Sequence, residues 1–519
     1  MRKIRLALLF TFICGFAQAQ TLTPKQLFPG LFEAVQLSDI LHDNKTFADA
    51  TPKRAPQLIL KDYNAAKGKP GFNLKNFVDN NFDLPITGGG DFKSNIAKGV
   101  RHHIDTLWQV LSRRHSTGSK YSSLISLPND FIIPGGRFRE TYYWDTYFTM
   151  LGLRESHKTQ IMQNLVDNFS FMLNKYGFIP CGTRTYYLTR SQPPFFSMMV
   201  DLLAAEKGQS TIVKYQPELL KEYAFWMRGA ETLKTGQAYR NVVALPGGEI
   251  LNRYWDDSDG PRDEAYKNDL DSVKKSSQSP QQFYRNVRAA GESGWDFGSR
   301  WYGADDKFGS IQTTEMIPVD LNCLLYHLEV SIAKSYQLKG NPAESTRYTA
   351  KAALRKKAIV KYCWNDRYNW FMDYNFRLRQ SSLQQTIAGI FPLDFNIPDA
   401  GQAAKMAATI KNGFLKQRGV ATSFKRTGQQ WDSPNGWAPM QFMTITGLQN
   451  YNQDALAKDI AMRWVNTNVS VFDQTGKLTE KYNVSDNTTK AGGGEYPQQD
   501  GYGWTNGVLL YLLNYYHIK

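Results

Sequence analysis

The chain has 519 residues, 42% of them hydrophobic and 21% charged. That balance belongs to a soluble globular protein with a substantial core, and the length suits one large domain or two to four ordinary ones. Lys and Arg number 62 against 47 Asp and Glu, a formal charge of +15, but the basic residues are spread along the chain without a nucleic-acid-binding motif, so charge alone identifies neither a nucleic-acid nor a membrane partner.

The first residues indicate the compartment. Met1-Arg2-Lys3-Ile4-Arg5 is a short basic start, an apolar stretch follows over 6–16, and Ala17-Gln18-Ala19 is a small-x-small cleavage pattern. A signal peptide over 1–19 is expected, cut after Ala19 to leave Gln20 as the mature N-terminus of a periplasmic or secreted protein. Cys14 follows bulky Ile13 and does not frame a lipoprotein site. No later stretch approaches ~20 apolar residues, so no membrane partner is expected once the leader is gone. The remaining Cys181, Cys323 and Cys363 make neither a disulfide framework nor a zinc spacing, and the seven His form no H-E-x-x-H pattern. No metal and no cofactor are expected.

Residues 21–95 show little periodicity. Helical spacing of apolar residues then recurs at 161–173, 219–233, 321–336, 403–414, 440–448, 455–465 and 508–516. A further helix opens after Pro342 and runs over 342–363 with an Ala-, Lys- and Arg-rich face, where Arg355-Lys356-Lys357 reads as a solvated face. Between the helices lie Gly- and aromatic-rich segments at 134–148, 186–196, 292–301, 430–439 and 495–507. With no Pro/Gly/Ser-rich linker, the pattern predicts one mostly helical domain over 20–519, with long loops that build a site.

Aromatic residues make up 13% of the chain, with 12 Trp and 28 Tyr, which suits a large aromatic core or a ligand offering flat C–H faces and many hydroxyls. The run Pro134-Gly135-Gly136-Arg137-Phe138-Arg139-Glu140-Thr141-Tyr142-Tyr143-Trp144-Asp145-Thr146-Tyr147-Phe148 mixes guanidinium forks, aromatic faces and carboxylates. Sugar recognition needs such a mixture: rings cover the apolar sugar face while Arg and Asp bond hydroxyls. Gln430-Trp431-Asp432-Ser433-Pro434-Asn435-Gly436-Trp437-Ala438-Pro439 has the same character. On residue character alone, Glu495, held in a glycine-flanked turn, is the preferred catalytic base.

These two stretches resemble the two signature patterns of the trehalases of glycoside hydrolase family 37. The resemblance continues through Arg190-Ser191-Gln192-Pro193-Pro194, Glu292-Ser293-Gly294-Trp295-Asp296, Glu480-Lys481-Tyr482 and Gly492-Gly493-Gly494-Glu495-Tyr496-Pro497, in the family's order. It implies an (α/α)6 barrel with residues 21–95 wrapped outside it, and hydrolysis of α,α-trehalose to two glucose molecules with inversion. The general acid falls on Asp296 and the general base on Glu480. Arg137, Trp144, Asp145, Arg190, Ser191, Gln192, Arg262, Glu264, Gly294 and Glu495 fall on sugar-binding positions. One carboxylic acid must protonate the glycosidic oxygen while an ionised one activates water. Trp295, Phe297 and Trp301 are expected to desolvate Asp296 and keep it protonated. The expected partner is a small disaccharide, trehalose, bound by a monomer that takes no nucleic acid. Hydrolysis of another α-glucoside, or sugar binding without catalysis, are the alternatives. Three departures stand out. Cys181 replaces a usual Asn, Asp263 replaces the Pro of a usual Arg-Pro-Glu, and the glycine run before Glu495 is short.

Overall fold

A helix that is apolar on all sides needs neighbours on all sides. The helix Tyr143–Glu155 buries every residue from Tyr143 to Leu153, and Ala438–Gln449 and Gly503–Tyr515 are nearly as enclosed. With Phe196–Lys207, Val319–Leu338 and Phe391–Asp394 they close a ring in which each helix packs on the next and Gly503–Tyr515 returns to Tyr143–Glu155. Closure is tight at Gly152, where an added Cβ would stand 2.6 Å from the Cα of Gly507. Only residues without side chains let the two backbones approach so closely.

Outside the ring stand Gly99–Leu111, Thr159–Tyr176, Gln216–Trp226, Pro342–Cys363, Ala400–Thr409 and Asp454–Thr475. Successive helices alternate inner and outer, as when Val319–Leu338 packs against Pro342–Cys363. The result is an (α/α)6 barrel with one continuous core. The computed structural model describes residues 22–85, 92–115, 119–486 and 491–518, so the expected leader lies outside the described residues.

The expected helices are present, with three adjustments. The one read over 219–233 ends at Trp226, because the chain turns at Gly229 with φ +85°. The segments 134–148 and 495–507, read as loops, turn helical at Tyr143 and Gly503. Arg355 is not on a solvated face. Its side chain is 3% exposed and pairs with Glu329 at 3.0 Å, donating also to Asn252 and Asn322.

Residues 22–85 form a small helical cap with its own cluster of Phe28, Phe32, Phe47, Phe82 and neighbours, packed on Tyr266. A buried ionic knot ties this cap to the barrel loops. Lys45 bonds Asp49 at 2.7 Å and Glu140 at 2.6 Å, and Glu140 also takes Arg184 at 3.2 Å. Burial alone would raise the Glu140 carboxyl, but Lys45 and Arg184 overcome it and hold it at about 2.

Candidate active site

Loops from one end of the barrel, with part of the cap, enclose a cavity of about 430 Å³. All the predicted site residues line it except Ser191, whose hydroxyl donates to the Ile179 carbonyl at 2.7 Å and whose N–H donates to Glu292 at 2.8 Å. Ser191 thus fixes the loop that carries Arg190 and Gln192.

Asp296 is reached through a short turn. The helix Pro280–Glu292 ends, Ser293 bonds back into it, and Gly294 takes φ +75°, where an added Cβ would meet the Trp144 ring at 2.7 Å. Trp295, Phe297 and Trp301 are fully buried about the turn. Burial first, then the negative charge of Glu495, push the Asp296 carboxyl up to about 8, against the opposing pull of Arg262. The group therefore holds a proton at neutral pH, as a general acid must.

Glu480 enters from another loop, just before the strand Lys481–Asn483, which pairs antiparallel with Asn435–Trp437. That two-stranded element fuses the second signature segment to the residues beside Glu480. The Glu480 carboxylate accepts from Lys481 Nζ and from the Tyr496 hydroxyl, each at 2.9 Å. Its backbone is fixed too: Trp504 Nε1 donates to its carbonyl at 2.9 Å, and its N–H donates to the Gln499 carbonyl at 3.0 Å.

Around these two acids the arginines are each paired. Arg190 bonds Glu264 at 2.6 Å and Asp256 at 3.2 Å. Arg262 bonds Asp269 at 2.6 Å and Glu495 at 2.9 Å. Arg137 bonds Asp43 of the cap at 3.0 Å. Burial raises Glu264, but Arg190 and Arg262 bring it below its ordinary value, whereas burial leaves Glu495 raised despite Arg262. Asp145, in the first turn of Tyr143–Glu155, accepts from the Tyr502 hydroxyl at 3.1 Å and is pushed by burial to about 7.

The departures have local consequences. The Cys181 thiol lines the cavity beside Tyr142, Tyr186 and Tyr187, and burial pushes its pKa up, so it acts as a small apolar wall. Asp263 accepts from the Lys25 N–H at 3.2 Å, and its carbonyl accepts from Gln36 at 3.0 Å, so the cap fixes this loop. Tyr496, Tyr502, Trp504, Trp431 and Trp437 also line the cavity, with Trp431 and Trp437 stacked at 4.0 Å. All five lie in the Gly- and aromatic-rich segments, where their residue type was the available signal. Asp43 and Lys45 line it as well. They come from an aperiodic stretch that gave no sign of reaching the site.

A barrel mouth with one protonated and one ion-paired carboxyl group, stacked indoles and bidentate guanidinium groups defines a glycoside hydrolase of the (α/α)6 class. A trehalase profile matches residues 39–517. A periplasmic trehalase from Citrobacter koseri is 44% identical, covering 98% of this chain and 90% of its own length. One from Salmonella newport is 46% identical, covering 95% and 86%. The chain belongs to the trehalase family. The neutral trehalase of Saccharomyces cerevisiae superposes with a TM-score of 0.60 at 25% identity, covering 82% of this chain and 80% of its own. A mannosylglycerate hydrolase from Thermus thermophilus shares the fold alone, at 16% identity and a TM-score of 0.52, covering 79% and 99%.

Proposed function

We propose that this protein hydrolyses α,α-trehalose to two glucose molecules in the periplasm, with Asp296 as general acid and Glu480 as general base, as a single catalytic domain left after cleavage behind Ala19. The activity and the compartment are those of the relatives that match nearly the whole chain. The observation that carries the mechanism is the pairing of two differently prepared carboxyl groups on one cavity. Asp296 is proton-bearing up to about 8, and Glu480 is bonded to an ammonium.

In this reading the disaccharide lies between the two acids. Asp296 gives its proton to the bridging oxygen as the glycosidic bond breaks, and its charge, once formed, faces Arg262. Glu480 takes a proton from a water that attacks the anomeric carbon from the opposite face. Indole rings of Trp144, Trp431 and Trp504 line the cavity against the apolar sugar faces, while Arg137, Arg190, Arg262, Glu264 and Asp145 offer charge-assisted bonds to hydroxyls.

The test is glucose release by the purified mature chain. Trehalose is cleaved, maltose is not, and Asp296→Asn and Glu480→Gln each lower turnover by about 10²–10⁴-fold while keeping the fold. Cleavage of maltose alone would mark another α-glucosidase. Release from no disaccharide would mark a binding protein.

A further inference from the structure

Behind the two acids lies a buried polar chain that the catalytic reading leaves unused. Gln430 is fully buried. Its side-chain amide donates to the backbone carbonyl of Asp296, and its amide oxygen accepts from Lys481 Nζ at 2.9 Å. The same ammonium donates to Glu480 at 2.9 Å. One side-chain amide therefore spans the loop of the acid and the cation that grips the base. Resting on the assignment of Asp296 and Glu480 above, we propose that Lys481 and Gln430 are positioning residues that hold the two carboxyl groups in register.

The surroundings fit that role. The Lys481 side chain is 0% exposed. It sits over the Trp437 ring at 5.0 Å and the Tyr496 ring at 5.2 Å, so aromatic faces surround the ammonium where water would otherwise stand. Among the described residues it is the one cation paired with Glu480. The other ionisable groups facing Glu480 are Tyr496, Tyr502, Asp145 and Asp296. None of these supplies positive charge.

Gln430 closes the link. A lysine at the base alone would fix one loop, whereas the amide transmits that position to Asp296 across 134 residues of sequence. Burying a lysine is costly unless every donor finds a partner. Here the carboxylate, the amide oxygen and two ring faces are those partners.

Lys481→Met and Gln430→Met conserve volume and remove these bonds. With trehalose as substrate, Lys481→Met lowers kcat by about 100-fold, with KM within about threefold of wild type, the effect of a base that is bound but no longer held in place. Gln430→Met lowers kcat by about tenfold with the same KM. Circular dichroism checks the fold of each. A folded Lys481→Met with wild-type kcat, or with its loss in KM instead of kcat, overturns the proposal. If Lys481→Met does not fold, unchanged turnover in Gln430→Met overturns it. Glu480→Gln is assayed beside them, because wild-type turnover in that variant strikes the catalytic assignment itself, whatever the other two show.

Discussion

Asp296 is the residue at which activity and stability pull in opposite directions. Its carboxyl rises from an ordinary 3.8 to about 8, chiefly because burial disfavours the charge. Between those two values the folded chain holds a proton that the unfolded chain releases. Stability therefore falls as pH rises through that window, and is fully recovered only below about 4. Catalysis needs the same proton, so kcat/KM drops as pH passes about 8. Asp296→Asn removes both dependences. It should lower turnover by about 10²–10⁴-fold, yet at pH 7 it should stabilise the fold by about 1–3 kcal/mol, since a neutral amide no longer risks burying a charge. Thermal denaturation of both proteins at pH 4 and pH 7 measures this. Equal melting temperatures at pH 7 would show that the burial of Asp296 is not what sets its protonation. Glu495 acts on the same titration. It is the largest charge raising Asp296 and is itself held by Arg262 at 2.9 Å. Glu495→Gln takes that negative charge away, so the alkaline limb of kcat/KM should move to lower pH. The weakened Arg262 link should also raise KM several-fold. A limb that stayed in place would separate Glu495 from the acid.

At the scale of helices and loops, what the sequence disclosed follows from periodicity. The outer helices other than Gly99–Leu111, and the inner helices Val319–Leu338, Ala438–Gln449 and Gly503–Tyr515, are legible from the recurrence of their apolar residues. The start of Tyr143–Glu155 falls in a segment whose Gly- and aromatic-rich character reads as loop, because its first turn carries the site residues Trp144 and Asp145. Both signature segments were found from residue type, whereas Asp43 and Lys45 were not. Their contacts with Arg137 and Glu140 span 94 and 95 residues and exist only once the cap has docked. Arg355 shows the reverse failure. A basic run on a surface helix implies solvent, yet the position faces inward and Glu329 waits there. Arg355→Met should cost about 3–5 kcal/mol in urea denaturation, the penalty for stranding a buried carboxylate. Lys356→Ala, one position along, should be neutral within about 0.5 kcal/mol. Equal costs at the two positions would restore the solvated-face reading.

The whole molecule decides the stereochemical outcome, since the barrel sets how far apart its loops stand. Asp296 follows the helix Pro280–Glu292, while Glu480 precedes a strand anchored to Asn435–Trp437 and to Trp504 on the last inner helix. The two acids are thus carried by different sectors of the ring and line the same cavity, and inversion predicts that they stand far enough apart to hold substrate and water together. An inverting enzyme requires about 6.5–9.5 Å between its carboxyl groups, against about 5–5.5 Å when one of them attacks the sugar directly. In the proposed mechanism, attack by water from the Glu480 side would turn one α-linked glucose into β-glucose, and the departing sugar would keep its α configuration. Proton NMR in the first moments of turnover, before mutarotation, should therefore show the two anomers in equal amounts. Two α-glucose molecules would require a covalent intermediate and make Glu480 a nucleophile. A solvent label sharpens the test, because in ¹⁸O water the heavy oxygen should enter only the β product.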